Sequence, residues 1–166
     1  TDGKATLAES GAILEYLVEQ YGEGKFAPEH GTPSFLRYRY WMHYAEGSLA
    51  TPLLLQLVFD QIERKSPLLV RPIAMGISSK IKGLLVTPNL KRHFDYLEAE
   101  LAEHGPWFVG RSFSAADVQM SFGIEAAAAR GLLKNRPKLT DWLRRIHERP
   151  AYQRALEQGG PFEILG

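Results

Sequence analysis

From Ser10 onward, apolar residues recur at the three- and four-residue spacing of an α-helix, and proline and glycine separate the repeats. The first repeat comprises Ile13, Leu14, Leu17, Val18 and Tyr21. It predicts a helix from Ser10 to about Tyr21, with Gly22 as a left-handed stop. A chain patterned in this way buries its apolar stripes by packing helix against helix, so the predicted fold class is all-α.

Proline and glycine also divide the rest of the chain. Thr32 and Pro33 are a typical N-cap and first-turn pair, and they open a long predicted helix that ends near Arg64. Because Gly47 and Pro52 lie inside this helix, we expect a bend rather than a straight rod.

A second Thr-Pro pair at Thr87-Pro88 predicts another helix start, and the apolar face that follows ends before Gly105. A further helix is predicted from Ser114 to about Ala129. Only residues 4–7, which follow an Asp-Gly turn signal, have the pattern of a short strand.

Composition narrows the function classes. The chain has 166 residues, of which 45% are hydrophobic and 23% charged, as is usual for a soluble globular domain. Lys and Arg total 20 against 19 Asp and Glu, so no general attraction to nucleic acid or an anionic membrane is expected. There is no cysteine, and no apolar run approaches the roughly 20 residues of a transmembrane helix.

Two local motifs suggest specific roles. Ser114 and Asp117 have the spacing of a capping box, and Phe113 and Val118 have that of a hydrophobic staple, so this motif predicts a structural cap. Glu9 and Ser10 precede the first helix. A helix N-terminus offers free N–H groups to a carboxylate, Ser10 can donate to it, and Glu9 can pair with an ammonium. The pair thus suits an α-amino acid group, although Glu-Ser before a helix is more often a plain cap.

The chain resembles the glutathione S-transferase family, in particular the bacterial and fungal branch related to yeast glutathione transferase I. The resemblance rests on the sequences TLAES at 6–10, YWMHYAEGS at 40–48, WFVG at 107–110, FSAADV at 113–118 and RPAY at 149–152. It implies that 1–22 are a remnant of a thioredoxin-like domain, comprising its last strand and helix. Residues 32–166 would then form the all-helical C-terminal bundle.

The resemblance also implies a function. Such a subunit conjugates the thiolate of glutathione to an electrophilic apolar substrate in detoxification, and it is a cytoplasmic homodimer whose dimer interface includes the first helix and the helix from Pro33. Glutathione is a co-substrate, and no separate cofactor, metal or nucleic acid is implied. Glu9 and Ser10 match the pair that holds the γ-glutamyl end of glutathione.

A mixed stripe on the long helix is the candidate substrate pocket. Arg37, Trp41, Tyr44 and Ser48 recur at i, i+4, i+7 and i+11. Aromatic stripes line pockets and fill cores about equally often, so a core role for Trp41 and Tyr44 stays open. A metal site at His43 and Glu46 is not favoured, because no second such pair faces it.

The family's activating Tyr, Ser or Cys lies in a segment that these residues do not match. We therefore expect a truncated chain that is inactive by itself, and we assign no catalytic residue. The alternative function is a non-catalytic helical interaction module of the same fold.

Overall fold

A computed structural model describes residues 1–3 and 5–160. Eight α-helices account for most of this part of the chain. They are α1 (Ser10–Tyr21), α2 (Pro33–Tyr44), α3 (Thr51–Lys65), α4 (Arg71–Ile81), α5 (Thr87–His104), α6 (Ala115–Ala129), α7 (Pro137–His147) and α8 (Pro150–Gly159). Two π-helices, Ala45–Ala50 and Lys82–Val86, join α2 to α3 and α4 to α5. The all-α prediction is confirmed.

The predicted strand is wrong for the described residues 5–7, and Lys4 lies outside the described residues. The backbone forms only an isolated antiparallel bridge between Asp2 and Ala5 at this end. A strand needs a neighbouring strand to satisfy its N–H and C=O groups, and no described segment lies alongside 5–7 to supply one.

The long interrupted helix is confirmed. Thr32 caps α2, because its Oγ1 accepts a hydrogen bond from the Phe35 amide at 3.2 Å. The helical path then runs without a loop to Lys65, and the irregularity falls at the Ala45–Ala50 π-helix. A π-turn is one way in which a helix absorbs an interruption.

Two predictions about helix ends, the start at Thr87-Pro88 and the left-handed stop at Gly22, are wrong. Thr87-Pro88 does not start a new helix: Val86, Thr87 and the π-helix before them keep right-handed helical angles, so α4 continues into α5. Gly22 is not left-handed, since its φ is −77°. Glycine is needed there for space, because a Cβ would lie 2.3 Å from the Val18 carbonyl oxygen.

The core is formed by the inner faces of α2, α5, α6 and α7. Its largest fully buried side chains are Trp41, Trp142, Phe94 and Phe108. Helix α1 packs on α6 from outside this core, and α3 packs mainly on α4. No helix within the described residues is long and apolar enough to cross a membrane.

Candidate functional site

Asp117 organises the centre of the core. Its carboxylate accepts hydrogen bonds from the amides of Phe108 and Ser114 and from the Trp142 indole, each at 3.0 Å, so the predicted capping box forms. Asp117 is fully buried, and this burial raises the pKa of its carboxyl group although the hydrogen bonds lower it. One carboxylate thereby ties together the 107–114 turn, α6 and α7, which is a structural role.

The start of α1 is exposed. Glu9 and Ser10 both lie at the surface, and Glu9 makes no side-chain hydrogen bond to cap the helix. Glu9 has a φ of 71°, which is uncommon for a residue with a Cβ and costs backbone strain. A carboxylate and a hydroxyl therefore lie at the exposed start of α1, where no side chain caps the helix.

Ser10 belongs to a polar cluster that three elements build. The Ser10 hydroxyl donates to Glu46 Oε1 at 3.2 Å, and Gln119 Nε2 donates to Ser10 Oγ at 2.8 Å and to Glu46 Oε1 at 3.1 Å. Gln119 is only 5% exposed, so α6 fixes it. The π-helix brings Glu46 to this point, and π-helical turns often occur at functional sites.

An apolar cavity of about 320 Å³ adjoins this cluster, between α3 and α6. Glu46 and Gln119 form its polar end, and Arg130 also lines it. Its apolar lining includes Leu53, Leu54, Leu57, Phe122 and Ala126. The close approach of α6 requires Gly123, because a Cβ there would lie 2.9 Å from Leu49 Cδ2. Sequence reasoning did not assign Glu46, Gln119 or this cavity; no periodicity signals a contact between such distant segments.

The predicted Arg37–Ser48 stripe divides into two parts. Trp41 is fully buried against Phe108 and Tyr96, which is the core alternative. Arg37 donates to the Phe108 carbonyl at 2.8 Å and pairs with Glu100 at 2.6 Å, so it braces the core.

Tyr44 and Ser48 line a shallow groove of about 470 Å³ together with Tyr40 and Arg39. Tyr44 is also hydrogen-bonded to His93, and burial raises the Tyr44 pKa. The structure therefore does not bring the four residues of the stripe into one pocket. Within the described residues, no group of three or more His, Asp or Glu side chains is placed to hold a metal ion.

Comparison with known proteins gives a consistent result. The sequence model described as "Glutathione S-transferase, C-terminal domain" matches residues 77–158. Glutathione S-transferase 3 of Schizosaccharomyces pombe is 33% identical over 159 residues, which cover 95% of this chain and 65% of that protein. Glutathione S-transferase 1 of Saccharomyces cerevisiae is 26% identical over 161 residues, covering 95% and 69% respectively. The chain thus spans about two thirds of the length of these relatives.

A solved structure agrees at the level of the fold. The glutathione transferase homologue from Lodderomyces elongisporus, solved with two GSH per subunit, superposes with a TM-score of 0.71 at 21% identity. The match covers 97% of this chain and 71% of that one. The order of the motifs, the all-helical architecture and the two yeast relatives agree: the chain is similar to glutathione S-transferases, and its residues 77–158 match the C-terminal domain of that family.

Proposed function

We propose that this chain is part of a glutathione transferase that conjugates the glutathione thiolate to an electrophilic apolar substrate. The observation on which the proposal depends is the exposed start of α1, where Glu9, Ser10 and free amides lie beside the Glu46–Gln119 pair. Both yeast relatives are named as glutathione S-transferases, and the L. elongisporus structure contains GSH.

The start of α1 suits the amino-acid end of glutathione. The positive end of the helix dipole and the unbonded first-turn amides favour a carboxylate. The Ser10 hydroxyl, which donates to Glu46 Oε1 in the structure, would turn its proton from Glu46 to the bound carboxylate. The Glu9 carboxylate has the charge that an adjacent ammonium group requires. The residues of this chain would bind and orient the tripeptide; none of them is assigned the task of deprotonating the thiol.

The α3–α6 cavity is our proposed site for the electrophile. Most of its wall is apolar. Its polar end is formed by Glu46 and Gln119, which are each hydrogen-bonded to Ser10 and to one another. The Arg37–Ser48 stripe suits this role less well, because Trp41 is buried in the core and Arg37 is hydrogen-bonded to the Phe108 carbonyl. In the reaction, the thiol first gives its proton to water. The sulfur then forms a bond to the electrophilic carbon, and the leaving group departs with its electron pair.

The test uses protein produced from its complete open reading frame. Calorimetry with glutathione should show saturable binding, and conjugation of 1-chloro-2,4-dinitrobenzene should be catalysed. Ser10→Ala should weaken glutathione binding by about tenfold, since it removes a hydrogen bond to a charged group. Ser79→Ala, which changes an exposed serine on α4, should leave binding unchanged.

A second variant tests the cavity. Leu54 is 59% exposed at the cavity wall, so Leu54→Trp should narrow the cavity without disturbing the core. It should raise the KM for the electrophile and leave the affinity for glutathione unchanged. If the wild-type protein neither binds glutathione nor catalyses conjugation, the enzyme assignment is wrong and the non-catalytic interaction module is favoured.

We also propose a homodimer. The resemblance implies an interface formed by the first helix and the helix from Pro33, whereas the exposed apolar side chains lead us to propose the outer face of α3, which continues the Pro33 helix, together with α4. Val58 and Ile62 on α3 and Ile73 and Ile77 on α4 are all more than 40% exposed, which makes a large apolar surface. Sedimentation velocity should give the mass of a dimer, and Ile62→Glu with Ile77→Glu should convert it to a monomer. A monomeric wild-type protein would contradict this assignment.

A further inference from the structure

A second cavity lies on a different part of the molecule, where the 22–32 connector meets the 109–114 turn and the start of α8. Its volume is about 590 Å³. Three cationic side chains, Lys25, Arg111 and Arg149, line it, and none of its lining residues is acidic. It shares no lining residue with the α3–α6 cavity or with the cluster around Ser10.

The guanidinium groups of Arg149 and Arg111 have N–H donors that make no hydrogen bond to another described residue. The guanidinium of Arg149 lies 3.5 Å above the centre of the Phe113 ring, which fixes its plane while leaving its N–H groups free of hydrogen bonds to other described residues. Arg111 is exposed, and it likewise has no ion pair within residues 1–3 and 5–160. Because a guanidinium presents a planar fork of donors, it matches the oxygens of a phosphate or carboxylate.

Other polar groups of the cavity also favour binding of an anion. The hydroxyls of Ser34 and Ser112 belong to the lining, and the amides of Arg111 and Ser112 make no backbone hydrogen bond in the described chain. Lys25 pairs with Glu23 at 3.1 Å, but both side chains are more than two-thirds exposed, so solvent weakens this pair.

The nearest buried acid is Asp117, whose charge attracts Arg149. Its oxygens already accept hydrogen bonds from Phe108, Ser114 and Trp142, so it lies behind the cavity wall rather than inside the cavity. No acidic side chain lines the cavity, so its three cations are balanced only from outside it, by Glu23 at the exposed rim and by Asp117 behind the wall. A cavity lined by several cations and free donors concentrates anions.

We propose that this cavity binds a phosphate-type anion, held by Arg149 and Arg111 with Lys25 at the rim. Phe26, Pro28 and Val109 add apolar wall beside the cations, so the volume accommodates a phosphate monoester with a small organic group. The proposal does not depend on glutathione transferase activity. The phosphate has two potential sources, a soluble monoester and the headgroup of an anionic lipid, and the same residues would contact either.

Calorimetry on the protein from its complete open reading frame tests the proposal. Inorganic phosphate, titrated at low ionic strength, should show saturable binding that added salt weakens. Arg149→Gln and Arg111→Gln should each weaken it by about tenfold or more, the loss expected for a charge-assisted hydrogen bond. Arg154→Gln is the matched control: it removes a charge from an exposed position on α8 that does not line the cavity, and affinity should change by less than about twofold.

Arg111 is exposed, so Arg111→Gln should fold normally, and the thermal midpoint of this variant should equal that of the wild type. Its loss of phosphate binding would then not be due to misfolding. A second arm uses phosphatidylcholine vesicles with and without phosphatidic acid in a flotation assay. Binding to the acidic vesicles that Arg111→Gln abolishes identifies a lipid source, and binding to phosphate alone identifies a soluble one.

No saturable binding to either probe would overturn the proposal. An equal loss of affinity in Arg154→Gln would do the same, since that result indicates a diffuse charge effect. Displacement of phosphate by glutathione would place the anion in the glutathione site and would equally contradict a separate cavity.

Discussion

Helices α1 and α6 pack against each other, yet their environments differ sharply. Helix α6 has 15 residues, of which eight are buried, including Asp117 at the centre of the core. Helix α1 has 12 residues and none of them is buried. The comparison shows that a rigid core helix can position a side chain, Gln119, beneath an exposed helix start. Regions with few buried contacts open most easily, and binding sites are often drawn from them.

The largest effect should come from the α6 side. Asp117→Ala removes the acceptor of four buried donors, which are three N–H groups and the Ser114 hydroxyl. Each unsatisfied donor costs about 1–3 kcal/mol, so we expect a loss of at least about 3 kcal/mol in the free energy of unfolding. Urea denaturation followed by circular dichroism measures it. Ser121→Ala on the same helix is the control and should cost much less. A loss below about 1 kcal/mol for Asp117→Ala would show that α6 is not the organising helix.

A matched pair of substitutions compares the helices directly. Ile124 on α6 is fully buried, whereas Ile13 on α1 is 37% exposed. Ile124→Ala should cost about 2–5 kcal/mol, because it removes buried methyl groups and leaves a cavity. Ile13→Ala should cost about 0.5 kcal/mol or less. Equal costs in the same urea experiment would refute the contrast between the two helices.

The C-terminal end of α1 should be an exception to its loose packing. Gly22 is buried, and a Cβ there would contact the Val18 carbonyl oxygen, so Gly22→Ala should cost about 1–3 kcal/mol through overpacking. Gly24→Ala is not a suitable control because its φ is 72°. Gly76→Ala, in the open middle of α4, is suitable and should be neutral or stabilising. A neutral Gly22→Ala would mean that the connector relaxes freely.

The smallest effect concerns the contact between the two helices. A double-mutant cycle with Ser10→Ala and Gln119→Ala should give a coupling energy of about 0.5–1.5 kcal/mol, because the hydrogen bond between them is partly buried. Urea denaturation of the four proteins yields this value. A coupling of zero would show that the cluster does not persist in solution and that Gln119 does not pre-arrange Ser10 for glutathione.

Local features of the fold were predictable from the sequence. The Thr32 cap, the interruption of the long helix and the Ser114–Asp117 box each depend on residues within a few positions of one another. Where a local signal was ambiguous, the prediction was wrong. Proline at position 88 is compatible with a helix start and also with a continuing helix whose hydrogen bonds a π-turn rearranges, and the second arrangement occurs.

The candidate site was predicted only in part. Glu9 and Ser10 were assigned from their position at the start of α1, and the structure adds that both are exposed. Glu46 and Gln119 were not predicted, because Gln119 lies 109 positions from the Ser10 side chain that it contacts. The substrate stripe shows the same limit, since helical spacing places Trp41 and Tyr44 on one face but does not say whether core or solvent covers that face.

By itself, the sequence determined the helical class, most helix limits and the capping box, because backbone hydrogen bonds and caps are satisfied over a few residues. The tertiary structure decided that Trp41 fills the core, that Asp117 joins three elements, and that Glu46 and Gln119 meet Ser10 beside an apolar cavity. Those outcomes depend on which helix faces meet, and that is settled by the packing of the whole chain.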